Sequence, residues 1–172
     1  MSYMKTALMT ALSLVLAACA STYTRQTVTA TKSKLATTGS VLVAVPHDGA
    51  YGDASYPGSG SATANAVRAA FSRFSNNVQL ASGCSELSCL QSNPEHFAYY
   101  VVPQVLHWED RATEWSGKKD RIEVKITVYG SDATPIASQI INGKSKWLTF
   151  GGDHPQDLLP EPINAYVASL YQ

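Results

Sequence analysis

The run Val41-Leu42-Val43-Ala44-Val45, closed by Pro46, constrains the fold more than any other stretch. Five apolar residues without polar alternation, three of them β-branched, read as a short strand covered on both faces. Such a strand lies inside a sheet with material packed above and below it, which excludes a one-layer sheet and a helical bundle. The residues that follow supply the cover. Val67, Ala70, Phe71 and Phe74 recur at i, i+3, i+4 and i+7, and Ser61 is placed to cap the helix that carries them. Val78-Gln79-Leu80-Ala81 reads as a second strand, parallel to the first through a right-handed crossover. Between strand and helix, His47 to Gly60 reads as a long loop.

The second half has a different period. Ala98 to Trp108 reads as a long strand with Tyr100, Val102, Leu106 and Trp108 on one face and Tyr99, Val101, Val105 and His107 on the other. Arg121 to Tyr129 alternates cleanly, Ile122, Val124, Ile126 and Val128 facing one way and Arg121, Glu123, Lys125 and Thr127 the other. Gly130-Ser131-Asp132-Ala133-Thr134 is turn chemistry, and Pro135 to Trp147 forms the return strand. A short helix is expected around Cys89 to His96, interrupted by Pro94. A final helix opens at Pro160 and Pro162 and carries Ile163, Tyr166, Val167 and Leu170. The order β-α-β-(α)-β-β-β-α predicts an α/β (α+β) fold, one mixed sheet with helices packed on it.

The amino terminus sets the address. Lys5 precedes an apolar run from Ala7 to Ala18, far short of the ~20 residues of a spanning helix, and Leu16-Ala17-Ala18-Cys19 has the form of a bacterial lipobox. Residues 1–18 read as a lipoprotein signal peptide and Cys19 as the lipidated first residue of the mature chain. Ala20 at mature position two resembles the outer-membrane sorting pattern of Gram-negative lipoproteins. Residues 19–40, rich in Ser, Thr and Lys, read as a flexible tether spanning roughly 25 Å as a coil, with Thr27-Val28-Thr29 as a short edge strand at most. Residues 41–172 then form a single globular domain.

Removing 18 residues from a chain of 172 leaves 154, enough for one domain with a core. Lys plus Arg and Asp plus Glu are 13 each, so no net charge argues for nucleic acid or an anionic membrane surface as partner. Export places Cys84 and Cys89 in an oxidising compartment, where they read as a disulfide. Five residues along an α-helix rise ~7.5 Å, beyond bridging distance, so the pair requires a turn or broken helix.

Chemistry is expected where charged and aromatic residues crowd, from His107 to Asp120 and from Lys144 to Pro155. Trp108, Glu109, Asp110, Arg111, Glu114, Trp115, Trp147, Asp153 and His154 form the candidate binding surface, since the strand ends place both stretches at one sheet edge. Tryptophans beside carboxylates suit sugar stacking, and Glu109 with Glu114 suits a glycosidase pair only at a set separation. His107, Glu109, Asp153 and His154 lack a recognised metal-ligand spacing, and Asp153-His154 has no nucleophile elbow. Pro57-Gly58-Ser59-Gly60-Ser61 precedes a helix but lacks both phosphate-loop fingerprints, and reads as a flexible lead-in. No cofactor or metal is expected. The bland alternative packs the tryptophans into the core and spends Glu109, Asp110, Arg111 and Arg121 on ion pairs that shape the loop.

His107 to Lys125 (HWEDRATEWSGKKDRIEVK), Gly143 to Pro162 (GKSKWLTFGGDHPQDLLPEP) and Tyr51 to Gly60 (YGDASYPGSG) resemble an uncharacterised family of proteobacterial lipoproteins, a domain of unknown function. That resemblance implies no activity and no assigned site. The element order is more distantly similar to the TolB amino-terminal domain and to LpoB-type lipoproteins, which are non-catalytic envelope modules that bind protein partners. Together these readings predict an outer-membrane lipoprotein, facing the periplasm, that acts as a binding or adaptor module for an envelope protein. The rival from another class is a cell-wall glycan binder or hydrolase.

Overall fold

The computed structural model describes residues 20–111, 118–146 and 154–172. Val41–Ala44 (β2) is buried on both sides, Val41 and Val43 toward one apolar cluster and Leu42 and Ala44 toward another. It lies between Val78–Ala81 (β5) and Tyr99–Glu109 (β6), parallel to both. Helix α1, Ser59–Phe71, crosses from β2 to β5 and buries Val67, Ala70 and Phe71 as the spacing predicts. Phe74 falls beyond the helix and stacks on Tyr171, with ring centroids 4.9 Å apart.

From β6 the sheet continues antiparallel through Arg121–Gly130 (β7) and Pro135–Lys144 (β8). The predicted β7 alternation is observed, with Ile122, Val124, Ile126 and Val128 buried. Helix α3, Pro160–Tyr171, packs beside α1 on that face and buries Ile163, Tyr166, Val167 and Leu170. The short helix α2, Leu87–Gln91, covers the opposite face at β2 and β6 through Leu90. A mixed sheet with helices packed on it is therefore the fold.

The first strand departs from the expected layout. Thr22–Thr29 (β1) is a full strand antiparallel to β8, giving the sheet order β1-β8-β7-β6-β2-β5. The flexible tether read over residues 19–40 is corrected by this ladder. Residues beyond β1 are also docked: Leu35 is buried and its N–H donates to Leu170 O at 2.8 Å, while Ala36 N–H donates to Tyr99 Oη at 2.8 Å. The polar sequence misleads because β1 is an edge strand whose stability comes from backbone pairing and half-buried Tyr23 rather than an apolar face.

The faces of β6 also differ from strict alternation. A bulge at Leu106 sets Val105 opposite Val124 and His107 opposite Glu123. One extra residue exchanges the faces of all that follow. Trp108 thus joins Val101 and Val105 against Ile122, whereas His107 and Glu109 turn to the face of Tyr100 and Val102, and Leu106 is left exposed.

The loop read from His47 to Gly60 contains a hairpin, Gly49–Tyr51 (β3) and Ala54–Tyr56 (β4), beside the half of β6 that β2 does not reach. A Cβ on Gly49 would stand 2.6 Å from Trp108 Cβ, so only glycine lets the hairpin pass there. Cys84, in the turn ahead of α2, and Cys89, within α2, form a disulfide with Cα atoms 5.5 Å apart. Cys84 O accepts from Val45 N–H at 2.8 Å, so the staple also holds the exit of β2. Replacing both cysteines by Ser is expected to lower stability by about 2 kcal/mol, the chain-entropy value for so short a loop, measurable by urea unfolding.

Candidate functional site

At its carboxyl end β6 runs past β2 and delivers three ionisable groups in five residues. Strand periodicity puts His107 and Glu109 on one face, and Arg111 follows as the strand ends. Glu109 is 1 % exposed, with Arg111 Nε 2.5 Å from Oε2 and His107 Nε2 3.0 Å from Oε1. Burial alone would raise its pKa, but the Arg111 guanidinium and then His107 outweigh it and hold the carboxyl below its ordinary value. Tyr51 of the hairpin closes the cluster: its ring meets His107 edge-on at 4.8 Å and lies 5.8 Å beneath the Arg111 guanidinium.

The turn into β7 is held separately. Buried Asp120 accepts from Arg111 N–H at 2.6 Å, its own N–H donates to Ser145 Oγ at 2.9 Å, and Ser145 N–H donates to Asp120 O at 3.1 Å. Asp120 thereby ties the ends of β6, β7 and β8 together, by its carboxylate to Arg111 and by its backbone to Ser145. Glu109, in contrast, holds His107 and Arg111, the two side chains that meet Tyr51 of the hairpin.

On the other side of β6, residues Ser55 to Ser59, Trp108, Asp110 and Gln156 border an open groove of about 490 Å³. Asp110 of its lining stands 3.9 Å from His154, both half exposed. The start of α1 in this groove is already occupied by the chain itself. Asp48 Oδ1 accepts from Gly60 N–H at 2.8 Å, and that bond and Gly58 hold its carboxyl below the usual range. Buried Ser59 donates to Tyr56 O and accepts from Gly49 N–H, both at 2.7 Å. A Cβ on Gly60 would lie 2.1 Å from Pro46 O. An internal carboxylate thus sits where a phosphate would bind, and the expected flexible lead-in is a fixed corner.

With that geometry in view, residues 33–170 match the model of DUF4823, a domain of unknown function. The chain belongs to that family. No curated protein matches it. Among solved structures the DUF4823 chain is similar to the PelC dodecamer from Paraburkholderia phytofirmans at 12% identity and a TM-score of 0.64, over 87% of this chain and 96% of that one. A point-variant PelC dodecamer gives 16% and 0.56 over 87% and 96%. A Xanthomonas campestris protein of family DUF330 gives 16% and 0.53 over 83% and 92%. At these identities the likeness establishes the fold.

The DUF4823 structure divides the predicted surface. Trp108 is 3 % exposed and belongs to the core, and Glu109 is buried with His107 and Arg111, so neither is a surface residue. Asp110, Arg111 and His154 remain accessible. Cys19, Glu114, Trp115, Trp147 and Asp153 lie outside the described residues. Tyr51, Asp48, Ser59, Asp120 and Ser145 were not anticipated. His107, Glu109 and Arg111 at every second position signalled one shared face; nothing in sequence joined them to Tyr51, some fifty residues earlier.

Proposed function

We propose that this chain is a lipid-anchored, periplasm-facing binding module of the Gram-negative outer membrane that holds an envelope protein by the carboxyl-terminal end of β6 and its neighbours. The observation that carries this reading is how the carboxylates are used. Glu109, Asp120 and Asp48 each fix the root of a loop through named partners, which suits a rigid presenting surface. A general acid needs a carboxyl kept protonated near neutral pH, and Glu109 is shifted the opposite way. The lipobox supports acylation of Cys19, and the similarity of element order to TolB-like and LpoB-type modules supports a protein partner. Because β1 begins three residues after Cys19, that partner is met close to the membrane.

Crosslinking in living cells, with a tag after Gln172 and mass spectrometry of the captured material, tests the reading. One dominant envelope protein, lost in Trp115→Ala, is the expected result. PelC assembles as a dodecamer, so a ladder of multiples of this chain would replace the heterologous partner by self-assembly. Capture of cell-wall glycan instead would overturn the adaptor and favour the glycan reading. In the same cells Cys19→Ser is expected to move the protein from the membrane fraction to the soluble periplasmic fraction, read by fractionation and immunoblot.

A further inference from the structure

The correction at β1 changes what the anchor implies. Without a tether, Cys19 is three residues from Thr22, and an extended chain covers at most about 11 Å over that length. Thr22 pairs with Lys144, Lys144 with Arg121, and Arg121 with Glu109, so these four form one row across the end of the sheet. Neighbouring strands are about 4.8 Å apart, which puts Lys144 and Arg121 within roughly 10 Å of β1 sideways. A polar headgroup layer is about 5–8 Å deep. The row therefore starts at the level of the headgroups once Cys19 carries its acyl chains.

Among the described residues its charge is mainly positive. Lys144, Arg121, Lys118 and Lys146 are exposed at this end, with Lys119 half-buried. Of the described carboxylates there, Glu109 and Asp120 are buried in the contacts already described, and Glu123 stands one row back and half-buried. Asp110 is exposed but borders the groove on the other side of the sheet. The chain's balanced total of 13 cations and 13 anions conceals this separation. Arg121 and Lys144 also flank a shallow concavity of about 270 Å³, whose inner wall carries His107, Glu123 and Asn142.

We infer that this end of the sheet is a seat for anionic lipid headgroups, with Lys144, Arg121 and Lys146 contacting their phosphates. It rests on the acylation proposed above. The lipid chains supply attachment; the basic row fixes which way the domain stands, each cation favouring an anionic surface roughly fivefold. The groove bordered by Asp110 and Gln156, on the other side of the sheet, stays open to a partner.

The test is lysine footprinting. The full acylated protein is reconstituted into vesicles of phosphatidylcholine alone or with about a third phosphatidylglycerol, pulsed with an amine-acylating reagent and digested for mass spectrometry. Labelling of Lys144 and Lys146 is expected to slow at least threefold in the anionic vesicles, with Lys32 and Lys34, beyond the far end of β1, unchanged. Equal rates at all four lysines, or equal slowing in both vesicles, would overturn the headgroup seat. The same digest reports the Cys19 peptide: an acylated peptide with unprotected lysines sinks this inference alone, and an unacylated one from cells sinks the anchored reading itself.

Discussion

Trp108→Ala is expected to lower stability by about 3–5 kcal/mol, the range for truncating a large buried aromatic. The ring sits among Val105, Ile122 and the backbone of Gly49, and is 3 % exposed. Removing it opens a cavity under the β3–β4 hairpin, which passes too close to collapse inward without moving Tyr51 and, through it, the cover of Glu109. Urea unfolding of the purified variant reads the loss as a lower midpoint at nearly constant slope. Trp108→Phe keeps most of the volume and is expected to lose less than half as much. The measurement decides between two roles for a tryptophan in a charged stretch. An interface anchor exposed in the free protein costs within about 0.5 kcal/mol of stability when truncated and its full penalty in partner capture. A Trp108→Ala variant as stable as wild type would return the residue to the surface.

The two-sided strand at Val41, the helix stripes and the β7 alternation were legible because burial imposes period and composition together. That Cys84 and Cys89 do not share one continuous helix was legible for a different reason, since helical rise excludes it. What sequence concealed has two physical sources. The Leu106 bulge shifts a register by one, and no composition marks it, because His107-Trp108-Glu109 remains plausible on either face. Thr22–Thr29 is concealed because an edge strand satisfies its backbone without burying a face, leaving a Thr-rich segment indistinguishable from linker. Both errors bore directly on the site. One put Trp108 on the face of Tyr100 and Val102 instead of that of Val101, and the other put 25 Å of slack between domain and membrane. Of the candidate surface, Asp110 and His154 stand 3.9 Å apart while Trp108 and Glu109 are buried, and the contacts that Tyr51 and Asp48 make across the hairpin are not encoded by spacing alone.

Glu109→Ala is expected to cost about 3 kcal/mol, the lower end for breaking a buried ion pair, because Arg111 and His107 keep 25% and 29% side-chain exposure and regain water when the carboxylate is gone. Glu109→Gln retains the shape and is expected to lose less, its amide still meeting one of the two partners. The pH dependence separates charge from packing. Burial opposes the ionised form, but Arg111 and His107 lower the folded pKa below the ordinary 4.5. A carboxyl lowered on folding stabilises the protein above its unfolded pKa and loses that contribution as pH falls through the folded value. The stability gap between wild type and Glu109→Gln is therefore expected to be full at pH 6–7 and to narrow below about pH 4.5, followed by thermal unfolding at matched ionic strength. A gap that stays constant to pH 3 would assign the loss to packing. The same pair of variants bears on the rival enzyme: a hydrolase using Glu109 as its acid would lose turnover in Glu109→Gln while remaining as stable as wild type. A residue that clamps the hairpin to β6 does the reverse, since what it holds in place is the rim that any partner must meet.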